Sequence, residues 1–514
     1  MKQWELFELT LPLQGSDADC EKVEAAFTEN GATTTVRGFC DGDGICKVRY
    51  LPTAPGVCSW KVSGPVQATG EETVAPAAEN THGPVRVQGM GFAHADGTPY
   101  VPFGTTVYAL AHQPDELVEQ TLTTLAQSPF NKVRLCIFPK SYQYNSNEPL
   151  YYPFEKTTDG KWDVHRPCLA FWHRFESILR RLDSMGIQAD LILFHPYDRW
   201  GFSMLSHAED LCYLSTVLHR LAAFPNVWWS LANEYDLLPA KTMQDWYGLE
   251  DFIAENDPFH NLYSVHYCFK PWDYSRPAVT HVSAQTKTVS RVAEWRGHYK
   301  KPIVIDECCY EGNFPEPWGN LSGREMVYRF WCVAATGGFC THGETFLDDE
   351  NEIVWWAKGG TLKGESPARI ALLREIIEAL PGVLEPIPNP MASMIDPAGR
   401  DTIRAQIAFL PAARRHTIEV ILDTDPLEVR TLVENEMLYE GHCGEDVYLT
   451  FFRRQCRART TLNLPESGSY RVEIIDTWAM TRTVAAEYAS GKTTIALPGK
   501  EGIAVLAVRI GNKE

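Results

Sequence analysis

Val227-Trp228-Trp229-Ser230-Leu231-Ala232-Asn233-Glu234 and Pro302-Ile303-Val304-Ile305-Asp306-Glu307 are short apolar runs, and each ends on a glutamate. Runs of this length bounded by breakers, such as Pro225-Asn226 before the first, read as strands buried on both faces of a parallel sheet. A carboxylate at the carboxyl end of such a strand stands where a parallel barrel builds its site. Two of them facing each other meet the needs of glycosidic bond cleavage, in which one group handles the proton and the other attacks the sugar.

The segments around these runs alternate between strand and helix. Tyr100–Thr106 has strand character, Asp115–Gln127 places Val118, Leu122 and Leu125 at helical spacing, and Asn131–Phe138 returns to strand. Pro167 reads as a first-turn proline, Phe171, Phe175, Ile178, Leu179 and Leu182 form an apolar stripe, and Gly186 closes that helix ahead of a third strand, Ile187–His195. Leu211, Leu214, Leu218 and Leu221 mark the helix before the Glu234 strand. Leu262–Tyr267 and Ala278–Gln285 read as the fifth and sixth strands, a helix near Val289–Tyr299 precedes the Glu307 strand, and Met326–Ala335 is helical. Gly338–Glu344 is the eighth strand and Ile370–Leu380 the last helix. Eight alternations over about 290 residues match a (β/α)8 TIM barrel of the α/β class better than an open doubly wound sheet.

The chain, at 514 residues, is longer than one barrel. Thr33–Phe39, the turn Asp41-Gly42-Asp43-Gly44 and Ile45–Leu51 read as a hairpin of an N-terminal β-sandwich, and Gly70–Asn80 as a linker. Beyond Val383, the runs Ile403–Leu410, Thr417–Leu422, Val447–Phe452, Tyr470–Ile475, Thr493–Leu497 and Ile503–Ile510 suggest a second β-sandwich. The expected division is 1–80, 81–382 for the catalytic barrel, and 383–514.

A net charge of −19 and a pI near 5.3 argue against a nucleic-acid partner, which would require a basic footprint. No apolar run is long enough to cross a membrane, and residues 1–6 lack the apolar core of a signal peptide, so no membrane partner and a cytoplasmic location are expected. Many of the fourteen cysteines, among them Cys136, Cys212, Cys308, Cys309, Cys332 and Cys340, fall inside barrel elements, which favours reduced thiols. No His/Cys spacing suits zinc, and no cofactor or metal is expected. The expected partner is a carbohydrate substrate, and a homo-oligomer is compatible with the sequence.

Asn233-Glu234, Glu307 and Arg134 on the second strand resemble the catalytic set of clan A retaining glycoside hydrolases. Val101-Pro102-Phe103-Gly104-Thr105-Thr106, His195-Pro196-Tyr197-Asp198-Arg199-Trp200-Gly201-Phe202 and Asp306-Glu307-Cys308-Cys309-Tyr310-Glu311-Gly312 are similar to bacterial apiosidase-like and cellulase-like barrels with flanking sandwiches. The resemblance spans nearly the whole chain and implies a fold and a catalytic pair, not a sugar.

On this reading Glu307 is the nucleophile, which Arg134 helps to hold charged, and Glu234 is the acid/base, its pKa raised by Glu307. Asn233 addresses the hydroxyl beside the reacting carbon. Arg134 also reads as a structural ion pair, and Asn233 as a turn-stabilising amide. His195, His266, Gln285 and His342 lie at strand ends and could reach sugar hydroxyls, although a core histidine bonded to a carbonyl explains each histidine equally well. Tyr197, Trp200, Tyr310 and Trp318 sit on loops of the same face, as sugar-stacking or loop-packing aromatics. Asp306 is expected to alternate away from the pocket, and Asp236 and Glu311 are rival carboxylates. The alternatives to a hydrolase acting from chain ends on short oligosaccharides or small glycosides are a catalytically inactive carbohydrate-binding protein and a transglycosylase using the same pair.

Overall fold

A computed structural model describes residues 1–13, 17–42, 44–347, 353–388, 397–436 and 438–512. Its centre is an eight-stranded parallel sheet: β1 (Phe103–Thr106), β2 (Lys132–Cys136), β3 (Gln188–Phe194), β4 (Val227–Ala232), β5 (Tyr263–Ser264), β6 (Val282–Gln285), β7 (Ile303–Glu307) and β8 (Phe339–His342). The order across the sheet is β5-β4-β3-β2-β1-β8-β7-β6, and a parallel bridge from His266 to Ser283 joins its two ends. The sheet is therefore a barrel. β2, β3, β4 and β7 are buried along their whole length, and β4 and most of β3 and β7 accordingly run apolar without alternating.

The interior carries an ionic layer. Lys132 Nζ lies 2.7 Å from both Asp190 Oδ2 and Asp306 Oδ1. Ser283 and Thr341 donate their hydroxyls to Asp306 at 2.6 and 2.9 Å. Charges survive burial here because each is paired and hydrogen-bonded across strands. Asp306 thus lies outside the pocket, and it points into the barrel rather than outward. Its neighbour Glu307 escapes strict alternation because the register between β6 and β7 shifts at Ala284/Gln285.

Between the strands lie α1 (Asp115–Gln127), α2 (Leu169–Ser184), α3 (His207–Leu221) and α4 (Met243–Asn256). Capping boxes start α3 at Ser206/Glu209 and α4 at Thr242/Asp245. Helix α2 buries the Phe171, Phe175, Ile178, Leu179 and Leu182 stripe. Pro167 does not open it. That residue ends the strand Trp162–Pro167, and Cys168 is the N-cap.

Two compact units emerge. One comprises Met1–Lys287, Tyr299–Ser322 and Cys340–Pro367, and the other Thr288–His298, Gly323–Phe339 and Ala368–Glu514. In the first unit, Phe7–Pro12, Ile45–Tyr50 and Phe39–Cys40 form one antiparallel sheet, and Ala32–Arg37, Glu24–Glu29, Gly56–Ser63 and Ala68–Val74 another. Residues of both sheets, among them Leu11, Val48, Phe27 and Val62, share one core. The expected hairpin survives only next to its turn, where Phe39–Cys40 pairs with Ile45–Tyr50. Ala32–Arg37 pairs with Glu24–Glu29, and Ile45–Tyr50 with Phe7–Pro12. Gly38, where a Cβ would come within 2.7 Å of Cys46 Sγ, lets the chain pass between the sheets. Of the expected turn, Asp43 lies outside the described residues. The expected linker is also partly strand: Ala68–Val74 pairs with Gly56–Ser63, and Gly70 is needed because a Cβ there would enter the Trp60 indole.

The second unit holds α5 (Val292–Tyr299, except for its last residue) and α6 (Gly323–Ala335). A six-stranded sheet of Glu385–Pro386, Tyr439–Cys443, Val447–Phe451, Ile503–Asn512, Gly468–Asp476 and Thr481–Ala489 shares a core with the pair Arg459–Asn463 and Lys492–Ala496. Ile403–Leu410 and Thr417–Leu422 are not strands. They fall in helical segments Pro397–Gln406, Ile407–Phe409 and Ala412–Asp423. Ile403, Ile407 and Leu410 repeat at four and three residues, the helical period, so the short runs were open to either reading.

Candidate active site

Glu307, the last residue of β7, and Glu234, two residues beyond β4, line one cavity of about 350 Å³ with Tyr108, Lys140, Tyr142, Tyr197, Asn233, Gln285, Tyr310, Phe314, Trp318 and Trp356. Both carboxylates are buried. Glu234 adopts a left-handed backbone, φ 56° and ψ 54°, a conformation that non-glycine residues hold only when their surroundings enforce it. His266 supplies that enforcement. Its Nδ1 accepts the Glu234 N–H at 3.3 Å, and its carbonyl accepts the Tyr235 N–H at 3.1 Å.

Glu307 is held from several sides. Tyr108 donates its hydroxyl to Oε1, Arg134 Nη1 lies 3.8 Å from the same oxygen, and His266 Nε2 is also at 3.8 Å. Burial first and the Glu234 charge second push the Glu307 carboxyl up, while Arg134 and the Tyr108 and Tyr310 hydroxyls pull it back. The expectation that Arg134 helps to hold Glu307 charged is met in direction. Arg134 lowers this pKa, but burial beside a second carboxylate outweighs it. Arg134 is at once a core ion: its Nε lies 3.5 Å from Asp190 Oδ2, and Nη2 donates to Asn233 Oδ1 at 3.4 Å. Glu234 receives the Tyr197 hydroxyl. Burial drives the His266 pKa well down, so the ring is neutral, and a Nδ1 that accepts from the backbone places its proton on Nε2, facing Glu307.

Of the residues singled out in the sequence, Glu234, Glu307, Asn233, Tyr197, Gln285, Tyr310 and Trp318 meet in this cavity. Arg134 and His266 border Glu307 without lining it. His195, Trp200 and His342 lie elsewhere. His195 Nε2 pairs with the Phe138 carbonyl at 3.2 Å, and burial lowers its pKa to about 3. His342 stacks on Phe130 at 4.8 Å and contacts Thr105 Oγ1 at 3.3 Å. Trp200 donates its indole N–H to Glu148 at 2.9 Å. His195 and His342 are spent on packing, because a strand end fixes a position but not the direction of its side chain, and the loop residue Trp200 is spent on Glu148.

The rival carboxylates are occupied too. Asp236 accepts the amides of Cys268, Phe269 and Lys270 at 2.8, 2.8 and 2.9 Å. Glu311 accepts the amides of Glu365 and Ser366 at 2.7 and 3.1 Å. Glu311, His342 and Glu344 have potential ligand atoms within 4.8 Å of one another. Both carboxylates of that group, however, cap the amides of residues 363–366, which fits anchoring of a loop better than metal coordination.

Tyr108, Lys140, Tyr142, Phe314 and Trp356 were not foreseen. Tyr108 and Lys140 follow β1 and β2 on the face where barrel sites form, so strand-end position was a usable signal for them. Nothing in sequence places Trp356 beside Tyr108, Tyr142 and Tyr310.

A barrel with two carboxylates at the ends of β4 and β7 defines a glycosidase, and comparison with known proteins agrees. Residues 88–360 match the model of the apiosidase-like catalytic domain, and the chain belongs to that family. Residues 1–64 and 434–510 match two domains of unknown function, DUF5060 and DUF5605. A solved structure from Bacteroides vulgatus ATCC 8482, described as a candidate glycoside hydrolase, is 33% identical, covers 99% of each chain and superposes with a TM-score of 0.84. A family 5 glycoside hydrolase from the same organism is 13% identical, with 83% of this chain and 94% of that chain covered and a TM-score of 0.59, and shows the fold alone. No curated protein matches the chain.

Proposed function

We propose that the chain is a retaining glycosidase acting by double displacement, with Glu307 as nucleophile and Glu234 as acid/base. The observation that carries this reading is the pair itself: two buried carboxylates on separate strand ends, lining one cavity and each bonded to a different tyrosine. Two buried like charges hold one proton between them more readily than none. Arg134 and the Tyr108 and Tyr310 hydroxyls favour the anion on Glu307, which suits that residue to the role of nucleophile.

In the first step a Glu307 oxygen bonds to the anomeric carbon while the glycosidic oxygen leaves with the proton of Glu234. In the second step Glu234 takes a proton from water, the hydroxide adds to the anomeric carbon, and Glu307 is released as carboxylate. Asn233 is suited to the hydroxyl next to the reacting carbon. A cavity of about 350 Å³, at the low end for ligand pockets, supports exo action on short oligosaccharides or small glycosides. The many cysteines placed inside barrel elements support a reducing, cytoplasmic setting. The division into residues 1–80, 81–382 and 383–514 is proposed along with it.

Proton NMR of the first-formed sugar from an aryl glycoside tests the mechanism. Retention of the anomeric configuration is expected, and inversion would overturn the nucleophile assignment.

A further inference from the structure

Lys140 stands in this cavity without a direct ionic partner, while the Glu234 and Glu307 carboxylates act on it from beyond contact distance. The residue is 2% exposed and lines the same space as the two carboxylates. Its ammonium lies 3.3 Å from the Tyr108 ring centre and 4.3 Å from that of Tyr197, between the two phenols that bond Glu307 and Glu234. Among the described residues it forms no ion pair and donates no hydrogen bond. Aromatic faces and carboxylates beyond contact distance offset only part of the cost of taking an ammonium out of water, which leaves the Lys140 ammonium open to a contacting anion.

Its surroundings point the same way. Tyr142 and Trp356 line the cavity beside it, and the Tyr142 hydroxyl and Trp356 indole N–H are buried without an acceptor. Beside Lys140 the lining thus offers two unused donors, and its acceptors are the two carboxylates and the unpartnered Gln285 Oε1. A neutral sugar presents hydroxyls that donate as much as they accept, whereas an ionised carboxylate only accepts.

We infer that Lys140 is a specificity-determining residue that selects a glycosyl group bearing a carboxylate, a uronic acid residue, for the cavity. This inference rests on the reading of the cavity as the glycosidase site. Burial lowers the Lys140 pKa to about 8, and a bound carboxylate would raise it again, so the cation persists in the complex. With a net charge of −19 the protein as a whole repels anions, which leaves recognition to this local group.

The test compares 4-nitrophenyl uronides with their neutral counterparts, glucuronide against glucoside and galacturonide against galactoside in both anomers, for the native chain and Lys140→Met. Binding of free glucuronate and galacturonate by calorimetry is measured in parallel. The uronide is expected to be the better substrate, and Lys140→Met should shrink the uronide-to-neutral ratio about ten- to a hundredfold, the worth of one hydrogen bond to a charged group. Lys140-dependent uronate binding without turnover of any glycoside would support the inference and sink the hydrolase reading. Faster turnover of a neutral glycoside, or of galactoside 6-sulfate, than of the galacturonide overturns the inference and leaves the hydrolase reading intact. Equal losses on both substrate types in Lys140→Met overturn it too, as does absence of both turnover and Lys140-dependent binding.

Discussion

The Tyr108 hydroxyl donates to Glu307 Oε1, so a residue two positions beyond β1 fixes the carboxylate at the end of β7. The Tyr108 hydroxyl oxygen also lies 3.1 Å from Asn233 Oδ1, and Tyr108 thereby links the β1, β4 and β7 sides of the site. Removing that donor in Tyr108→Phe should leave the fold intact and lower kcat/KM about ten- to a hundredfold, as loss of one hydrogen bond to a charged group implies. Steady-state kinetics with an unchanged circular dichroism spectrum check this.

The pH profile carries a second expectation. Burial and Glu234 raise the Glu307 carboxyl, and the nucleophile works only as the anion, so activity should fall with decreasing pH at values above the ordinary carboxylate range. The Tyr108 bond lowers this pKa, hence Tyr108→Phe should move the acidic limb of kcat/KM upward. A limb that stays in place would show that the hydroxyl does not act on the ionisation of Glu307.

Glu307→Gln is isosteric and cannot form a glycosyl-enzyme. Its rate should drop by several orders of magnitude while the thermal midpoint holds or rises, because a buried charge beside Glu234 has been removed. Near-native turnover by the folded variant would exclude the assigned role.

Glu234→Ala should separate the two proton transfers. An activated phenol departs without help, so an aryl glycoside should form the glycosyl-enzyme and then stall for lack of a base. Azide, which needs no deprotonation, should restore turnover and yield a glycosyl azide, identified by mass spectrometry. Equal losses with good and poor leaving groups, without rescue, would reduce Glu234 to a positioning role.

The barrel interior gives a stability prediction. Lys132 faces Asp190 and Asp306 at 2.7 Å each, all deep in the core. Lys132→Met leaves two buried carboxylates with less compensation and should cost about 3–5 kcal/mol. Urea unfolding followed by tryptophan fluorescence measures it, and a loss under about 1 kcal/mol would mean that Arg134 alone balances the layer.

The sequence by itself determined the barrel and its two carboxylates. β4 and β7 announce themselves through unbroken apolar runs, since a strand buried on both faces has no polar side to present, and a strand end is a position that sequence order can locate. The aromatic stripe of α2 was legible for a similar reason, because a period of 3.6 is a local property. Only the tertiary structure decided which polar groups at those ends turn inward. His195 and His342 occupy strand ends like Glu307 yet are committed to Phe138, Phe130 and Thr105, and direction depends on register shifts and on neighbours distant in the chain. Short runs failed where the local signal was ambiguous: Ile403–Leu410 fits either period, and Ile45–Tyr50 chose Phe7–Pro12 as its main partner over the nearer Ala32–Arg37 because two sheets had to close over one core. Lys140 shows the difference most plainly, for a lysine after a strand is ordinarily solvated, and only the enclosing rings of Tyr108 and Tyr197 make it a buried cation open to a contacting anion.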